Sequence, residues 1–255
     1  MTYINETLRE VNMSKKVLIV GSMGNCAYGT MYKDEGYEIV NTLDEADLVQ
    51  FTGGADVSPD LYNCAKHPAT QNSPHRDEVE TALYQRAKLS GIPCVGICRG
   101  GQFLNVMNGG RMYQHVDGHA VGGTHEIRDM RLGYLCQATS THHQMMIKGD
   151  NGLMVASASP HLATRKEYMD DEGALFIVEP EEYEIDTESV YYHHSRSLCF
   201  QPHPEFQQGV GCRGYFFALV EGHLFKEWER MEELAGDRIH DSGDGYIEFE
   251  ENYED

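Results

Sequence analysis

The chain has 255 residues, enough for one large domain or two small ones and for a real apolar core. Its composition, 40% hydrophobic and 24% charged, excludes wholesale disorder. Twenty Lys and Arg stand against 41 Asp and Glu, and a net charge of −21 repels phosphate backbones and anionic membranes, so neither nucleic acid nor membrane is an expected partner.

The first fifteen residues are polar and without period, and are expected to be an N-terminal extension (1–15) ahead of the main domain (16–235). Val17–Val20, followed by Gly21, predicts a short buried strand. Tyr37–Val40 predicts a second strand, and Ala46–Thr52, ending at Gly53-Gly54, a third. Arg76–Leu89 places Val79, Ala82, Leu83 and Ala87 at helical spacing between charges, which predicts an amphipathic helix. Ile92–Ile97 is again strand-sized, and Gln102–Met107 resumes a helical pattern that stops at Asn108-Gly109-Gly110. Strand and helix thus alternate as in parallel βαβ units. From Arg111 onward, short polar and His-rich segments predict antiparallel additions. Ala174–Glu179 and Ser197–Gln201 are late strands in this reading, and Gly211–Met231 a closing helix. Residues 236–255 carry eight acids against one Arg and read as an acidic tail.

Seven cysteines without a Cys-x-x-Cys pair do not form a disulfide framework or a zinc ribbon. With no basic leader followed by an apolar stretch, the expected location is cytoplasmic.

One cysteine has a distinctive setting. In Gly96-Ile97-Cys98-Arg99-Gly100-Gly101-Gln102, Cys98 falls between a predicted strand and a predicted helix, with glycine two residues before and two after. A nucleophile on such a sharp turn needs neighbours without bulky side chains. The helix that follows directs its N-terminus at the sulfur, a field that favours thiolate, and the next amide can donate to an oxyanion. A base is also required. In Phe200-Gln201-Pro202-His203-Pro204-Glu205, two prolines fix the backbone around His203, and Glu205 can fold back on the imidazole to set its tautomer.

Together, GICRGGQ, QPHPE and FTGGADVSP resemble class I glutamine amidotransferase-like proteins. GGADVSPDLY, HRDEVE, GICRGGQFLNVMNGG and STHHQMM are most similar to the γ-glutamyl-γ-aminobutyrate hydrolase branch of that superfamily, over about Val17 to Met231. The resemblance implies a three-layer, flavodoxin-like α/β fold with a mostly parallel central sheet. It implies Cys98 as nucleophile, His203 as base and then acid, and Glu205 as the group that orients His203. The amides of Gly54 and Arg99 would form the oxyanion hole. Gly53, Gln102, His143 and the backbone of Gln144 and Met145 would meet the glutamyl group. The implied reaction is hydrolysis of a γ-glutamyl amide through a glutamyl thioester, with no cofactor. Two other readings stay open: a glutaminase that supplies ammonia to a separate synthetase, and a non-catalytic binding module. A homodimer is compatible with each.

The His pairs 142–143 and 193–194 and the series His115, His119, His125 invite a metal reading. Adjacent side chains diverge, and no carboxylate or Cys stands at ligand spacing, so a pocket-lining or loop role is expected and no metal. His240–Glu251 loosely resembles an EF-hand loop, but His stands where the first Asp ligand belongs, and a solvated tail is the expectation.

Overall fold

The computed structural model describes residues 14–21, 25–178, 185–206, 209 and 211–225. The acidic tail with its EF-hand-like stretch, and nearly all of the expected N-terminal extension, lie outside the described residues.

The first half is a βα alternation: β1 (Lys16–Val20), α1 (Asn25–Asp34), β2 (Glu38–Val40), β3 (Leu48–Phe51), α2 (Pro74–Leu89), β4 (Cys94–Ile97) and α3 (Arg99–Met107). Short strands follow: β5 (Arg111–Tyr113), β6 (His115–Asp117), β7 (Gly123–Asp129), β8 (Leu135–Ser140), β9 (Met145–Ile147), β10 (Leu153–Ala158), β11 (Arg165–Met169), β12 (Leu175–Val178), β13 (Thr187–Tyr192) and β14 (Ser197–Phe200). The closing helix α4 (Cys212–Leu219) passes into a π-helical turn, Val220–Leu224. The rest of the predicted closing helix lies outside the described residues.

Nine strands form one sheet in the order β2-β1-β3-β4-β14-β13-β10-β7-β8. The strands from β2 to β14 run parallel, and from β14 through β13, β10, β7 and β8 every pairing is antiparallel. The parallel half carries the expected βα order, and the antiparallel half begins where the sequence texture changes. The predicted strand at 174–179 is β12, which joins β11 and β6 in a separate small sheet.

The inner parallel strands β3, β4 and β14 are buried on both faces, and side chains of the parallel half alternate between two cores. Val17, Leu48, Val95, Ile97, Leu198 and Phe200 face α1 and α4 through Tyr28, Met31, Tyr32, Phe216 and Phe217. Val49, Phe51, Cys94 and Cys199 face α2 and α3 through Tyr84, Ala87, Phe103 and Leu104. This is the three-layer α/β arrangement expected from the sequence. In such a sheet a ligand site belongs at the carboxyl ends of the parallel strands. Gly53-Gly54 follows β3, Cys98 follows β4 and His203 follows β14, so the topology brings the three predicted segments to one rim.

Candidate active site

Cys98 stands between β4 and α3 with φ 52° and ψ −115°, a conformation that a non-glycine residue adopts only under constraint. The constraint is visible on both sides. The Cys98 N–H donates to Phe200 O at 2.8 Å, and its carbonyl accepts the first helical bond from Gln102 N–H at 3.0 Å. A Cβ on Gly96 would lie 2.2 Å from the Gly100 backbone, and a Cβ on Gly100 would lie 2.1 Å from Phe51 O. The two glycines therefore let the turn press against β3 while it presents the cysteine. Cys98 is half-buried.

His203 and Glu205 are joined directly: His203 Nδ1 lies 2.6 Å from Glu205 Oε1. The His203 N–H donates to Thr139 Oγ1 at 2.8 Å, and the imidazole stacks on Phe206 with centroids 4.6 Å apart. Burial alone would push the His203 pKa down. The charge and hydrogen bond of Cys98, and then those of Glu205, more than reverse this, and the pKa rises to about 10.

Gly53 is where these groups meet. A Cβ there would lie 3.0 Å from His203 Cε1, 3.4 Å from Tyr28 Oη and 3.6 Å from Cys98 Cβ. Tyr28, on α1, accepts the Gly53 N–H at 3.0 Å. Burial, and after it Glu205, raises the Tyr28 pKa, which keeps the phenol neutral. On the other side, Arg76 donates through Nη1 to Gly53 O at 3.0 Å and through Nη2 to Thr52 O at 2.8 Å, and is itself held by Glu80 at 2.7 Å. A trans peptide points its C=O and N–H in opposite directions, so this clamp turns the Gly54 N–H away from Arg76. Gly54 has φ +137°, open to glycine and strained for other residues. Among the described residues, neither the Gly54 nor the Arg99 N–H donates in the backbone turn and loop bonds. The Arg99 side chain lies buried under α3, paired with Asp77 and Glu80.

The other predicted contacts divide. Gly54 and His143 line an open cleft of about 540 Å³ together with Asp56, Lys66, Thr70 and Asn72. His143 Nε2 lies 3.2 Å from Asp56 Oδ1, whose hydrogen bond raises the His143 pKa. Gln102 is buried and gives its amide N–H groups to Gln144 O at 3.3 Å and Gln201 Oε1 at 3.1 Å. The Gln144 Nε2 is spent on Thr70 Oγ1 and Gln114 O, and Met145 packs in a small core with Val116 and Ala163. The Gln144 Oε1 is left without a partner among the described residues, and the Gln144 carbonyl is taken by Gln102 and His142. Tyr28 and Arg76 are the residues that sequence reasoning missed. The HRDEVE run carried the only signal, since it contains Arg76, Asp77 and Glu80 in one helix.

A cysteine on a strand–turn–helix elbow, beside a His–Glu pair that follows the neighbouring parallel strand, fits the class I glutamine amidotransferase-like α/β proteins. Residues 10–165 match the family model for Peptidase C26, and the chain belongs to that family. The match ends before His203 and Glu205. Among its relatives, the chain is 35% identical over 133 residues to a provisionally named glutamine amidotransferase of Mycobacterium tuberculosis, covering 45% of this chain and 43% of that protein. It is 31% identical over 159 residues to Protein NtpR of Enterococcus hirae, covering 54% of this chain and 66% of that one. The first of these matches thus spans less than half of the relative's length. Among solved structures, a provisionally named GMP synthase component from Thermoplasma acidophilum superposes with a TM-score of 0.58 at 16% identity, over 86% of this chain and 98% of that one. A glutamine amidotransferase of Thermotoga maritima gives 0.51 at 13% identity, over 89% and 86%. At these identities the structures speak for the fold alone. Among the described residues, no helix is long and apolar enough to cross a membrane.

Proposed function

We propose that the protein is a cysteine-nucleophile C–N hydrolase that cleaves a γ-glutamyl amide, in the manner of the γ-glutamyl-γ-aminobutyrate hydrolase branch, with Cys98, His203 and Glu205 as its triad. The observation that carries this reading is the 2.6 Å His203–Glu205 contact beside a cysteine held at φ 52°. Cys98 Sγ, as thiolate, attacks the amide carbonyl carbon. The C–S bond forms and the carbonyl π electrons move to oxygen, where the Gly54 and Arg99 N–H groups receive the negative charge. Collapse breaks the C–N bond, and the leaving amine takes a proton from His203. Water then gives a proton to His203 and attacks the thioester, and sulfur leaves as thiolate. Glu205 holds the imidazole in the tautomer that both steps need. Arg76 and Tyr28 act as positioning residues that fix the peptide plane at Gly53. Gly53, His143 and the backbone of Gln144 and Met145 border the glutamyl pocket, and Gln102 holds the Gln144 loop in place. The extension, main domain and tail expected from the sequence keep their assigned limits in this reading.

Glutamate release by the full chain tests the proposal, with Cys98→Ala as control and glutamine compared with a panel of γ-glutamyl amines. Cys98-dependent turnover of a γ-glutamyl amine, with glutamine poor, is the expected result. Turnover of glutamine alone would move the protein to ammonia supply for a separate synthetase. No turnover of any substrate would leave a partner-gated enzyme or a binding module and overturn the stand-alone hydrolase.

A further inference from the structure

Behind the catalytic rim lies a second constellation that the proposed reaction does not use. Four segments far apart in sequence converge there. His119 comes from the loop before β7, His125 from β7, His142 from the turn after β8, and Glu188 from β13. All four side chains are at least nine-tenths buried. Glu188 Oε1 lies 2.8 Å from His125 Nε2, 3.4 Å from His119 Nδ1 and 3.5 Å from His142 Nε2. One ligand atom each from His119, His125 and Glu188 falls within a 4.8 Å set.

The hydrogen bonds around this set are incomplete in a specific way. His142 Nδ1 lies 3.0 Å from Gln144 O, a carbonyl that can only accept, so Nδ1 carries the proton. In the neutral ring, Nε2 then turns a lone pair toward the Glu188 carboxylate. His119 repeats the arrangement. Its Nε2 lies 2.9 Å from Asp186 Oδ2, another acceptor, so a neutral ring turns the Nδ1 lone pair toward Glu188. His119 Nδ1, His142 Nε2 and Glu188 Oε2 are buried without a hydrogen-bond partner. Nitrogens converging on a buried carboxylate are held by protons, which burial opposes on His119 but Asp186 and Glu188 favour, raising its pKa to about 9, or by a metal ion that replaces those protons.

We propose that His119 Nδ1, His125 Nε2 and the Glu188 carboxylate form the core of a site for a divalent transition metal ion of the zinc class, with His142 Nε2, 3.5 Å from Glu188 Oε1 but outside the 4.8 Å set, closing in as the fourth ligand. Bonds of about 2.0–2.1 Å in a tetrahedron place ligand atoms roughly 3.3 Å apart, close to two of the three separations seen. Three imidazoles with one carboxylate suit zinc and its neighbours rather than calcium or magnesium. Outer contacts are present for two of the three histidines, while His125 Nδ1 is buried without a partner among the described residues. Asp186 backs His119 and is itself held by Lys166 at 2.8 Å and the Ala163 N–H at 2.8 Å, while Gln144 O backs His142. Carboxylate or carbonyl partners of this kind fix the tautomer of metal-bound histidines. Four protein ligands leave no open position, so the ion is structural. It ties β7 to β13 and anchors the His142–Gln144 segment, next to the strand whose Thr139 holds His203. Binding displaces to solvent any proton that the imidazoles carry on their ligand nitrogens.

The test uses the full chain, dialysed free of loose metal, then titrated with Zn²⁺ alone against a competing chelator, with metal content measured by mass spectrometry. One equivalent of tightly held zinc is expected, together with a tetrahedral d–d spectrum on substitution by Co²⁺, which needs no variant. Asp186→Asn is expected to weaken zinc about 10- to 100-fold. Glu188→Gln and His125→Asn are expected to remove it, and His194→Gln, in the other His pair, to leave it unchanged. A folded chain that takes up no zinc, or a Co²⁺ spectrum of octahedral type, overturns the site and leaves protons as the cations of the cluster. Zinc held equally by all four variants also overturns it, because the ion then sits elsewhere. These readouts do not depend on turnover, so they stand apart from the hydrolase assignment.

Discussion

The Arg76 guanidinium donates to the carbonyl oxygen of Gly53 at 3.0 Å, and through that contact α2 sets the orientation of the Gly53–Gly54 peptide. In the proposed reaction, a peptide flipped at this point would aim a carbonyl, not an N–H, at the developing oxyanion. The clamp therefore predicts a specific kinetic defect. Arg76→Gln lowers kcat by about 10²-fold, near the range for loss of one oxyanion donor, and leaves KM within about threefold. Arg76→Lys, which keeps the charge but reaches only one carbonyl, falls between. Steady-state kinetics on a γ-glutamyl amide decide the matter, and a rise in KM without loss of kcat would show that Arg76 serves binding instead.

The pH behaviour of His203 follows from its neighbours. Burial opposes the imidazolium, and Cys98 and then Glu205 sustain it up to about 10. In the proposed reaction, the acid that protonates the leaving amine is thus present through neutral pH and is lost as pH rises through about 10. The stability linked to this shift has the same sign. It is fully present below the ordinary histidine value near 6.5 and disappears as pH rises to about 10. NMR titration of the His203 ring should show the raised value in the wild type and a lower one in Cys98→Ala. Glu205→Gln removes the second support, lowers the His203 pKa, and costs about 10³-fold or more in kcat through loss of the tautomer lock. An unmoved His203 titration in Cys98→Ala would contradict the contact between the two side chains.

The glycines separate into two groups by what surrounds them. A Cβ on Gly100 meets Phe51 O at 2.1 Å, whereas a Cβ on Gly29, inside α1, meets nothing within 4 Å. Gly100→Ala should destabilise by about 3 kcal/mol or prevent folding, since backbone cannot retreat as a side chain can. Gly29→Ala should stabilise by roughly 0.5–1 kcal/mol through helix propensity. Urea midpoints measure both, and a neutral Gly100→Ala would mean that the elbow is looser than its contacts indicate.

Much of this site was legible because its code is local. The glycines flanking Cys98, the Pro-His-Pro-Glu run and the strand–turn–helix texture each lie within a few residues. What escaped depends on tertiary convergence. Helix α1 is built from NCAYGTMYKD, with a central glycine and no clean apolar stripe, so nothing in the sequence announced the helix that delivers Tyr28 to Gly53. The functions of Arg76, Asp77 and Glu80 became readable only once α2 lay against the elbow. The cluster around Glu188 was passed over for the same reason. Divergence of adjacent side chains does hold for His142 and His143, which point to Glu188 and Asp56 respectively. The carboxylate that completes the set, however, arrives from β13, in a region without recognisable motif.

His143 separates recognition from chemistry. It shares the open cleft beside Gly54 with Lys66, and the Asp56 hydrogen bond favours its charged form. The Lys66 ammonium and an imidazole whose charged form is favoured share the cleft with a single carboxylate, Asp56, and suit a carboxylate of the substrate more than a neutral amide. His143→Gln should therefore raise KM about 10-fold, equivalent to about 1.4 kcal/mol, and leave kcat within about twofold. The sharper measurement compares a γ-glutamyl substrate with its α-carboxamide analogue. The wild type should favour the free carboxylate, and His143→Gln should lose most of that preference. A variant that keeps the full preference would assign carboxylate recognition to Lys66 or to backbone N–H groups, and would leave His143 only its pairing with Asp56.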